Sequence, residues 1–464
     1  MPNEDKVWSS RTPEDALWSY NCQDCVQTRQ CGERELESIE KLGLEEQHAF
    51  QQEMFYPVLK AMIRGVRVDR KARDAFAMEL QEEIVNREVY FKTILGHPLN
   101  PRSAPQMTKL FYTDFGIKPI MSRATKQSPS HVTCNDEALE KIKLREPLTR
   151  PLIKAIQEFR SLGVFLSTFV LCPLDQDGRM RCSYNICGTE TFRLSSSENA
   201  FGSGGNLQNI PAGGEDDESD LVLPNVRKIY IPDDGYEMFD TDLSKADLRI
   251  VTWESDENEL KAMLAEGKDP YVEMAREFYH DPTLTKNRAD GSPHPRYKIF
   301  KSFAHGTNYL GTPQGLSARL GLSVRDAEKT QAWYFGKFPK IKQWQDRVKK
   351  QVSTQHYVQN AFGYRRYYFG RIDESTFREA IAWIPQSTVG LYINRVWLEI
   401  HKKYPKIEIL LQVHDSLVGQ FPRHLRDKCL ADLAKASQIV VPYADPLIIP
   451  VGVKTSTKSW GDCH

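Results

Sequence analysis

Nowhere does this chain of 464 residues carry an apolar run long enough to cross a bilayer, and its opening stretch, MPNEDKVWSSRTPEDALW, has neither the basic segment nor the apolar core of a secretory signal. The expectation is therefore no membrane span, no export and a cytoplasmic location. An excess of one charge is missing too, since 62 basic residues face 62 acidic ones. That excludes a uniformly basic surface but not local phosphate-binding clusters. Such clusters stand at Lys337-Phe-Pro-Lys-Ile-Lys342, Arg347-Val-Lys-Lys350 and Arg365-Arg366, beside an acidic run from Glu215 to Asp220. No internal repeat is visible. The nine cysteines, scattered from Cys22 to Cys463 without an export signal, read as free thiols. Cys22, Cys25 and Cys31 lack a fourth Cys or His at zinc spacing, so they read as helix-packing thiols. Hydrophobic residues at 40% and charged residues at 27% are ordinary globular usage, and the length predicts about two to four packed units.

Between residues 34 and 96 long amphipathic helices are predicted, with Leu44, His48, Phe55, Leu59 and Met62, then Phe76, Leu80 and Ile84, at helical spacing. Gly65-Val-Arg-Val-Asp69 between them reads as a short extended turn. A loop over 97–103 introduces a helix over 104–115, and the Pro-, Ser- and Thr-rich residues 117–134 read as a mobile connector. Helical spacing returns over 136–171; Asp175-Gln-Asp-Gly178 then reads as a hairpin turn and 179–187 as a strand. Residues 193–221 hold too much Ser, Gly and Asn for a core element and are expected to form a surface loop that carries function. Strand patterns at 228–231 and 236–242, helices over 245–352 and 378–401, and a strand pair around Asp415 complete the pattern.

Within Tyr236-Glu-Met-Phe-Asp-Thr-Asp-Leu-Ser-Lys-Ala-Asp-Leu-Arg-Ile250 the apolar period changes from alternation to helical spacing, which puts Asp242 at the C-terminal end of a strand. In Ile409-Leu-Leu-Gln-Val-His-Asp-Ser-Leu-Val-Gly-Gln-Phe421 two apolar runs flank a polar tip, the pattern of a β-hairpin with Asp415 at its turn. Two carboxylates so placed can supply oxygen ligands to two Mg2+ ions about 3.5–4 Å apart, a centre suited to phosphoryl transfer. Aspartates in turns are commonplace, so spacing alone does not establish a shared centre. Asp240, two residues earlier, would face the same side, as an auxiliary ligand or a solvated carboxylate.

Asp242-Leu-Ser-Lys-Ala-Asp-Leu-Arg249 resembles motif A of family A, DNA polymerase I-like enzymes, whose pattern is Asp-Tyr-Ser-Gln-Ile-Glu-Leu-Arg. In the family's order, Lys301-Ser-Phe-Ala-His-Gly-Thr-Asn-Tyr309 resembles the motif B helix and Leu411-Gln-Val-His-Asp-Ser-Leu-Val418 resembles motif C. Arg193-Leu-Ser-Ser-Ser197 and Asn206-Leu-Gln-Asn-Ile-Pro211 match the loop before motif A, and Gly65–Asp69 and His97-Pro-Leu-Asn100 are similar to landmarks of the thumb. The resemblance implies an α+β right hand with helical thumb and fingers and an antiparallel β-sheet palm. Its divisions would be the end of a 3′–5′ exonuclease domain and linker (1–45), thumb (46–150), first part of the palm (151–255), fingers (256–350) and second part of the palm (351–464). It further implies a template-directed DNA polymerase that adds dNTPs to a primer 3′-hydroxyl, with primer–template DNA and dNTPs as partners and two Mg2+ ions as cofactors, Mn2+ being a substitute. Asp242 and Asp415 would be catalytic and would hold the metals with the backbone carbonyl of Leu243. Lys301, His305, Tyr309, Asp247, Arg296 and Tyr271 would meet the nucleotide; Arg193, Gln208, Gln386 and His414 would meet the DNA. Lys301, His305 and Tyr309 recur every four residues, so one helical face would present all three, with Gly306 allowing close approach of the nascent pair.

The sequence also departs from the family's pattern. Asp247 stands where the family has the Glu that walls off a ribose 2′-hydroxyl, so sugar exclusion is expected to lean on backbone position or to be weaker. That keeps a single-subunit RNA polymerase as a rival reading; a second rival, a non-catalytic DNA-binding subunit, sits badly with both aspartates being present. His305 replaces a Phe or Tyr, Ser416 replaces the acidic residue after the motif C Asp, and Tyr271 stands in the place of a phosphate-contacting His. Arg296 lies one residue off its expected position, and Trp383-Ile-Pro-Gln-Ser387 is one residue shorter than the family's pattern around Gln386. Tyr20-Asn-Cys-Gln-Asp24 resembles the last motif of the exonuclease, whose Asp-x-Glu motif has no room upstream. No autonomous proofreading is expected, either through truncation or because a separate exonuclease polypeptide docks on residues 1–45. The compact thumb resembles a phage-type enzyme, which would place the protein in a host cytoplasm.

Overall fold

The computed structural model describes residues 12–122, 129–199, 202–211, 214–215, 222–223 and 225–463. Helix α1 (Pro13–Leu42) starts at Thr12, whose hydroxyl accepts from the amide of Asp15, and buries no residue of its own. Cys22, Cys25 and Cys31 are exposed on it among the described residues, so the expected helix-packing role fails. Helix α2 (Glu45–Arg64) buries Phe50, Met54, Pro57, Val58 and Ala61, whereas Phe55 of the expected stripe is 57% exposed. Both stripes have helical spacing. After the helix Gly65 lets the chain pass Met180, whose carbonyl oxygen lies 2.8 Å from the place of a Cβ.

Strand β1 (Val66–Val68) leads to α3 (Arg70–Leu95), capped by the Asp69 carboxylate. Helix α4 (Ala104–Thr108) runs on into a π-helical turn over Lys109–Asp114, and α5 (Asp136–Arg145) and α6 (Arg150–Phe165) follow. Phe91, Met107, Phe111, Leu139, Ile153 and Phe159 belong to a core separate from the main one. The expected mobile connector is clipped by a bridge between Met121 and Val132; its residues 123–128 lie outside the described residues. The expected turn at Asp175–Gly178 is closed by Asp175 N donating to Arg179 O at 3.0 Å and Gly178 N donating to Asp175 O at 2.9 Å, and strand β2 (Arg179–Met180) beyond it pairs with β1. Strands β3 (Ser183–Asn185) and β4 (Ser195–Ser197) pair, as do β5 (Gly214–Glu215) and β6 (Val222–Leu223). Most of the acidic run lies outside the described residues. Strand β7 (Tyr230–Ile231) completes the sheet β2-β1-β7.

Strand β8 (Tyr236–Leu243) precedes seven helices: α7 (Ala246–Ser255), α8 (Asn258–Ala265), α9 (Pro270–Tyr279), α10 (Pro295–Asn308), α11 (Pro313–Leu320), α12 (Val324–Lys337) and α13 (Pro339–Gln355). A hairpin, β9 (Tyr357–Gln359) and β10 (Arg365–Tyr367), leads to α14 (Glu374–Lys403). That helix buries residues such as Trp383, Leu391, Tyr392 and Trp397 around most of its girth, as a helix at the centre of a large core does. Then come β11 (Glu408–Val413), β12 (Ser416–Pro422), α15 (Arg426–Ala436), β13 (Val440–Val441), β14 (Leu447–Ile448) and β15 (Val451–Ser456). The main sheet has the order β11-β12-β8-β15, antiparallel throughout. Phe239 and Phe421 stack beneath it at 5.7 Å, and Gly419 leaves room for Phe239, whose Cζ is 2.5 Å from the place of a Cβ. Among the described residues no helix is long and apolar enough to cross a membrane.

Candidate active site

Chain direction at the end of β8 sets the site. Asp242 closes the strand, solvent-accessible yet walled on its flanks by the cleft; Ser244 then donates its amide to Pro450 O at 2.9 Å, and Lys245, at φ 52°, turns the chain into α7. Across from it, β12 pairs with β8 in a register that puts Val418 opposite Asp240. Carried two residues further, that register brings the start of β12 beside Asp242, about 4.8 Å away in the neighbouring strand. Thr241 secures this end, its Oγ1 accepting from Leu417 N at 2.9 Å and donating to Leu417 O at 3.2 Å. The β11–β12 connection is a two-residue turn, with His414 at φ 56° and Asp415 next to it.

Asp242 and Asp415 consequently line one cleft of about 910 Å³, together with Leu243, Lys245, Asp247, Tyr271, Lys301 and His305. Burial, then the charges of Asp415 and Asp240, hold the Asp242 carboxyl above its ordinary range. Burial also raises Asp415, with Asp247 adding repulsion and Arg193 and His414 opposing it. Two such carboxylates repel one another as anions, and a divalent cation held by them would offset that repulsion. The donor chemistry fits Mg2+, a hard ion content with one or two carboxylates, a carbonyl such as that of Leu243, water and substrate oxygens. No group of three or more His, Cys, Asp or Glu side chains is arranged to hold a metal among the described residues.

Asp240 does not join the pair, and its side chain, 20% exposed, is mostly shielded from solvent. It is bound by Ser416 Oγ and, at 2.7 Å, by Trp460 Nε1, with the Arg227 guanidinium 4.0 Å away and stacked on Trp460 at 4.3 Å. Both expectations for it are thus corrected by partners that no local spacing revealed. Ser416, in the place of an acidic residue, is what the carboxylate of Asp240 accepts from.

One face of α10 forms the opposite wall. Lys298, Lys301, Ser302 and His305 line the cleft at helical spacing, and Tyr309, just past the helix, sets its ring against His305 at 4.7 Å and 82°. Burial lowers the pKa of His305, which favours a neutral imidazole. The Tyr309 hydroxyl and Asp247 Oδ1 are buried beside one another. Burial first, and then the nearby Asp247 charge, raises the phenol. Tyr271 lines the cleft but is itself buried, which lifts its phenol far above the usual range. Arg296 is turned away: it pairs with Asp281 at 3.4 Å and stacks on Tyr279, leaving Lys298 in the wall. Gly306 does not face the cleft either, because a Cβ there would stand 2.5 Å from Leu316 Cδ2 in α11.

Arg193 reaches the site from the loop before β4. Helix α14 holds that loop through Trp383 Nε1 to Glu190 O at 2.6 Å and Asn394 Nδ2 to Phe192 O at 3.1 Å. Gly390 allows the approach, with Arg193 Cγ 3.0 Å from the place of its Cβ. Gln386 sits one turn earlier on the same helix, half-buried, while His414 is exposed. Gln208 is 8% exposed, so its side chain lies within the fold and not on a DNA-facing surface. Tyr20 and Asp24 are exposed one turn apart on α1, far in sequence from the cleft. Lys245, Lys286, Lys298 and Arg319 also line the cleft and were missed. Lys298 belongs to the same helical stripe as Lys301 and was legible there; Lys286 and Arg319 come from a loop and another helix with no shared spacing.

The family model described as DNA polymerase family A matches residues 70–462. DNA polymerase I, thermostable, from Thermus filiformis is 28% identical over 407 residues, covering 84% of this chain and 45% of the relative. The Thermus aquaticus enzyme of the same description is 28% identical over 408 residues with the same coverage, and DNA polymerase I of Helicobacter pylori is 25% identical over 445 residues, 92% of this chain and 46% of the relative. The chain spans about half the length of the curated relatives it matches. Among solved structures, the POL domain of Pol1 from M. smegmatis in complex with DNA primer-template and dNTP superposes with a TM-score of 0.76 at 19% identity, over 92% of this chain and 73% of that one. The right-hand polymerase fold is therefore shared.

Proposed function

This chain belongs to DNA polymerase family A, and we propose that its cleft extends a primer along a DNA template by transferring nucleotides from dNTPs to the primer 3′-hydroxyl. The observation that carries the reading is the meeting of Asp242 and Asp415 at one end of adjacent strands, opposite a cationic helix face in the same cleft. Mg2+ held by these carboxylates and the Leu243 carbonyl would activate the attacking hydroxyl and neutralise charge on the leaving pyrophosphate. The chain's own residues bind and orient. Lys298, Lys301, Lys286 and Arg319 give the triphosphate its counter-charges, and the neutral His305 ring, backed by Tyr309, offers a face to the sugar and base. Arg193 and Gln386 flank the primer end, where minor-groove acceptors common to all correct pairs report fit and not sequence.

The main sheet and α14 make the palm, residues 256–350 the fingers and residues 46–150 the thumb. The separate core from Phe91 to Phe159 supports an independent thumb tip, with Phe50 to Leu80 packed into the palm. The exposed α1, with Leu17, Trp18 and Val26 on its surface, is the place for a separate exonuclease polypeptide, and a phage-type replicative role rests on the compact thumb. Co-purification with a small Asp-x-Glu nuclease, lost on Trp18→Ala, tests that partner; no such nuclease in the purified complex counts against it. The function itself is tested by extending a primed single-stranded template with dNTPs or with rNTPs. Extension with dNTPs supports the reading, and extension with rNTPs alone would favour the RNA polymerase rival.

A further inference from the structure

Alternation along the β9–β10 hairpin sorts its side chains onto two faces. Val358 and Tyr368 are buried, and Arg366, on their side, pairs with Glu190 and Glu379 and stacks on Tyr368 at 5.3 Å. The other face holds Tyr357, Arg365, Tyr367 and Phe369. Tyr357 and Tyr367 are direct cross-strand partners with ring centroids 5.4 Å apart, and Phe369 continues the series 6.0 Å from Tyr367 with only 10° between the ring planes. Phe369 is 94% exposed. Arg365 lies 5.6 Å from the Tyr357 centroid and bonds Gln359 Oε1 and Leu42 O, with no carboxylate partner among the described residues. From Gln355 to Ile372 the chain carries Arg365, Arg366 and Arg371 and no acidic residue at all.

Two exposed, nearly parallel rings, Tyr367 and Phe369, with Tyr357 tilted 39° beside them and Arg365 bound to no carboxylate among the described residues, do nothing for a core. They have the two parts that unpaired strands need, ring faces for bases and cations for phosphates. A duplex hides its base faces, and a protein partner of ordinary apolar chemistry would leave Arg365 and Arg371 without counter-charge. We infer that this face of the hairpin binds single-stranded DNA, with bases stacked on Phe369 and Tyr367 and phosphates against Arg365 and Arg371. Arg366 ties the hairpin to Glu190, three residues before Arg193, so the strand would run along the side of the molecule that carries the loop to the cleft. The inference does not depend on the chemistry proposed for Asp242 and Asp415.

The test is fluorescence anisotropy of a labelled oligothymidylate on the full chain, with the cleft saturated by unlabelled blunt duplex. Stacking on an aromatic side chain is worth about 1–3 kcal/mol per base, so Phe369→Ala should weaken oligothymidylate binding about 5- to 150-fold, while Phe369→Trp retains it. Arg365→Ala should lower the slope of log Kd against log salt by about 0.7. Affinity for the blunt duplex and the melting temperature should not change in Phe369→Ala. Wild-type oligothymidylate affinity in the Tyr367→Ala, Phe369→Ala double variant would overturn the inference, as would equal losses for single strand and duplex. A wild-type chain that binds the oligonucleotide through Phe369 but fails to extend primers would count against the proposed function alone.

Discussion

Gly306 separates two accounts of the same helix. If it admits the nascent pair, Gly306→Ala should harm nucleotide binding; if it admits α11, the same change should harm packing. An ideal Cβ at this position would stand 2.5 Å from Leu316 Cδ2 and 3.0 Å from Arg319 Nη2. Carbon atoms settle about 3.5–4.0 Å apart, so roughly an ångström must be found. The Arg319 tip can swing away, but Leu316 is buried with Phe303 and Ala327 and cannot. Overpacking of this kind costs about 1–3 kcal/mol, and replacing a helical glycine by alanine returns about 1 kcal/mol, which leaves a net loss of about 0–2 kcal/mol. Because that net is small, the decisive assay is a double-mutant cycle of denaturant melts with Leu316→Ala. Removing the leucine should cost about 0.5–3 kcal/mol less in the Gly306→Ala background than in the wild type. Additive losses, accompanied by a raised KM for dNTP in Gly306→Ala, would refute the packing account.

Three further outcomes follow from particular contacts. Trp460→Phe removes the donor to Asp240 and should cost about 1.5–3 kcal/mol in denaturant melts, the worth of a hydrogen bond to a charged group; unchanged stability would show that Asp240 is not locked. Asp247→Ala should lower the preference for dNTPs over rNTPs in single-nucleotide incorporation, and equal selectivity would remove Asp247 from any gate. Burial raises Glu254 above the usual 4.5, although Tyr443 Oη donates to it at 2.8 Å. The folded chain therefore holds a proton that the unfolded chain gives up, and stability falls as pH rises from the ordinary value through the raised one. Glu254→Gln should accordingly be more stable than wild type at neutral pH and lose this part of the pH dependence; a parallel pH profile would contradict it.

What could be read from the sequence was what local pattern encodes. The change of period at Asp242 and the apolar–polar–apolar run around Asp415 each reflect one element, and the structure brings the two residues to one cleft wall. Where side-chain direction depends on distant partners, the pattern was silent. Asp240 is held by Trp460, 220 residues away, and Gly306 by Leu316 in another helix. Arg296 shares α10 with Lys301, yet Asp281 and Tyr279 draw it off the wall. The amphipathic reading of α2 found the helix and put Met62 against the core but misplaced Phe55, since Phe50 and Phe55 both fit a helical stripe and only burial distinguishes them.

The account stands on Asp242 and Asp415 together holding the divalent ions for nucleotidyl transfer, and extension of an end-labelled primer by Asp415→Asn tests this most directly. Wild-type protein should extend the primer with Mg2+ and stop on chelation. Asp415→Asn should lose about a hundredfold or more in rate while keeping its melting temperature and its affinity for primer–template. Extension by Asp415→Asn at close to the wild-type rate would contradict the account.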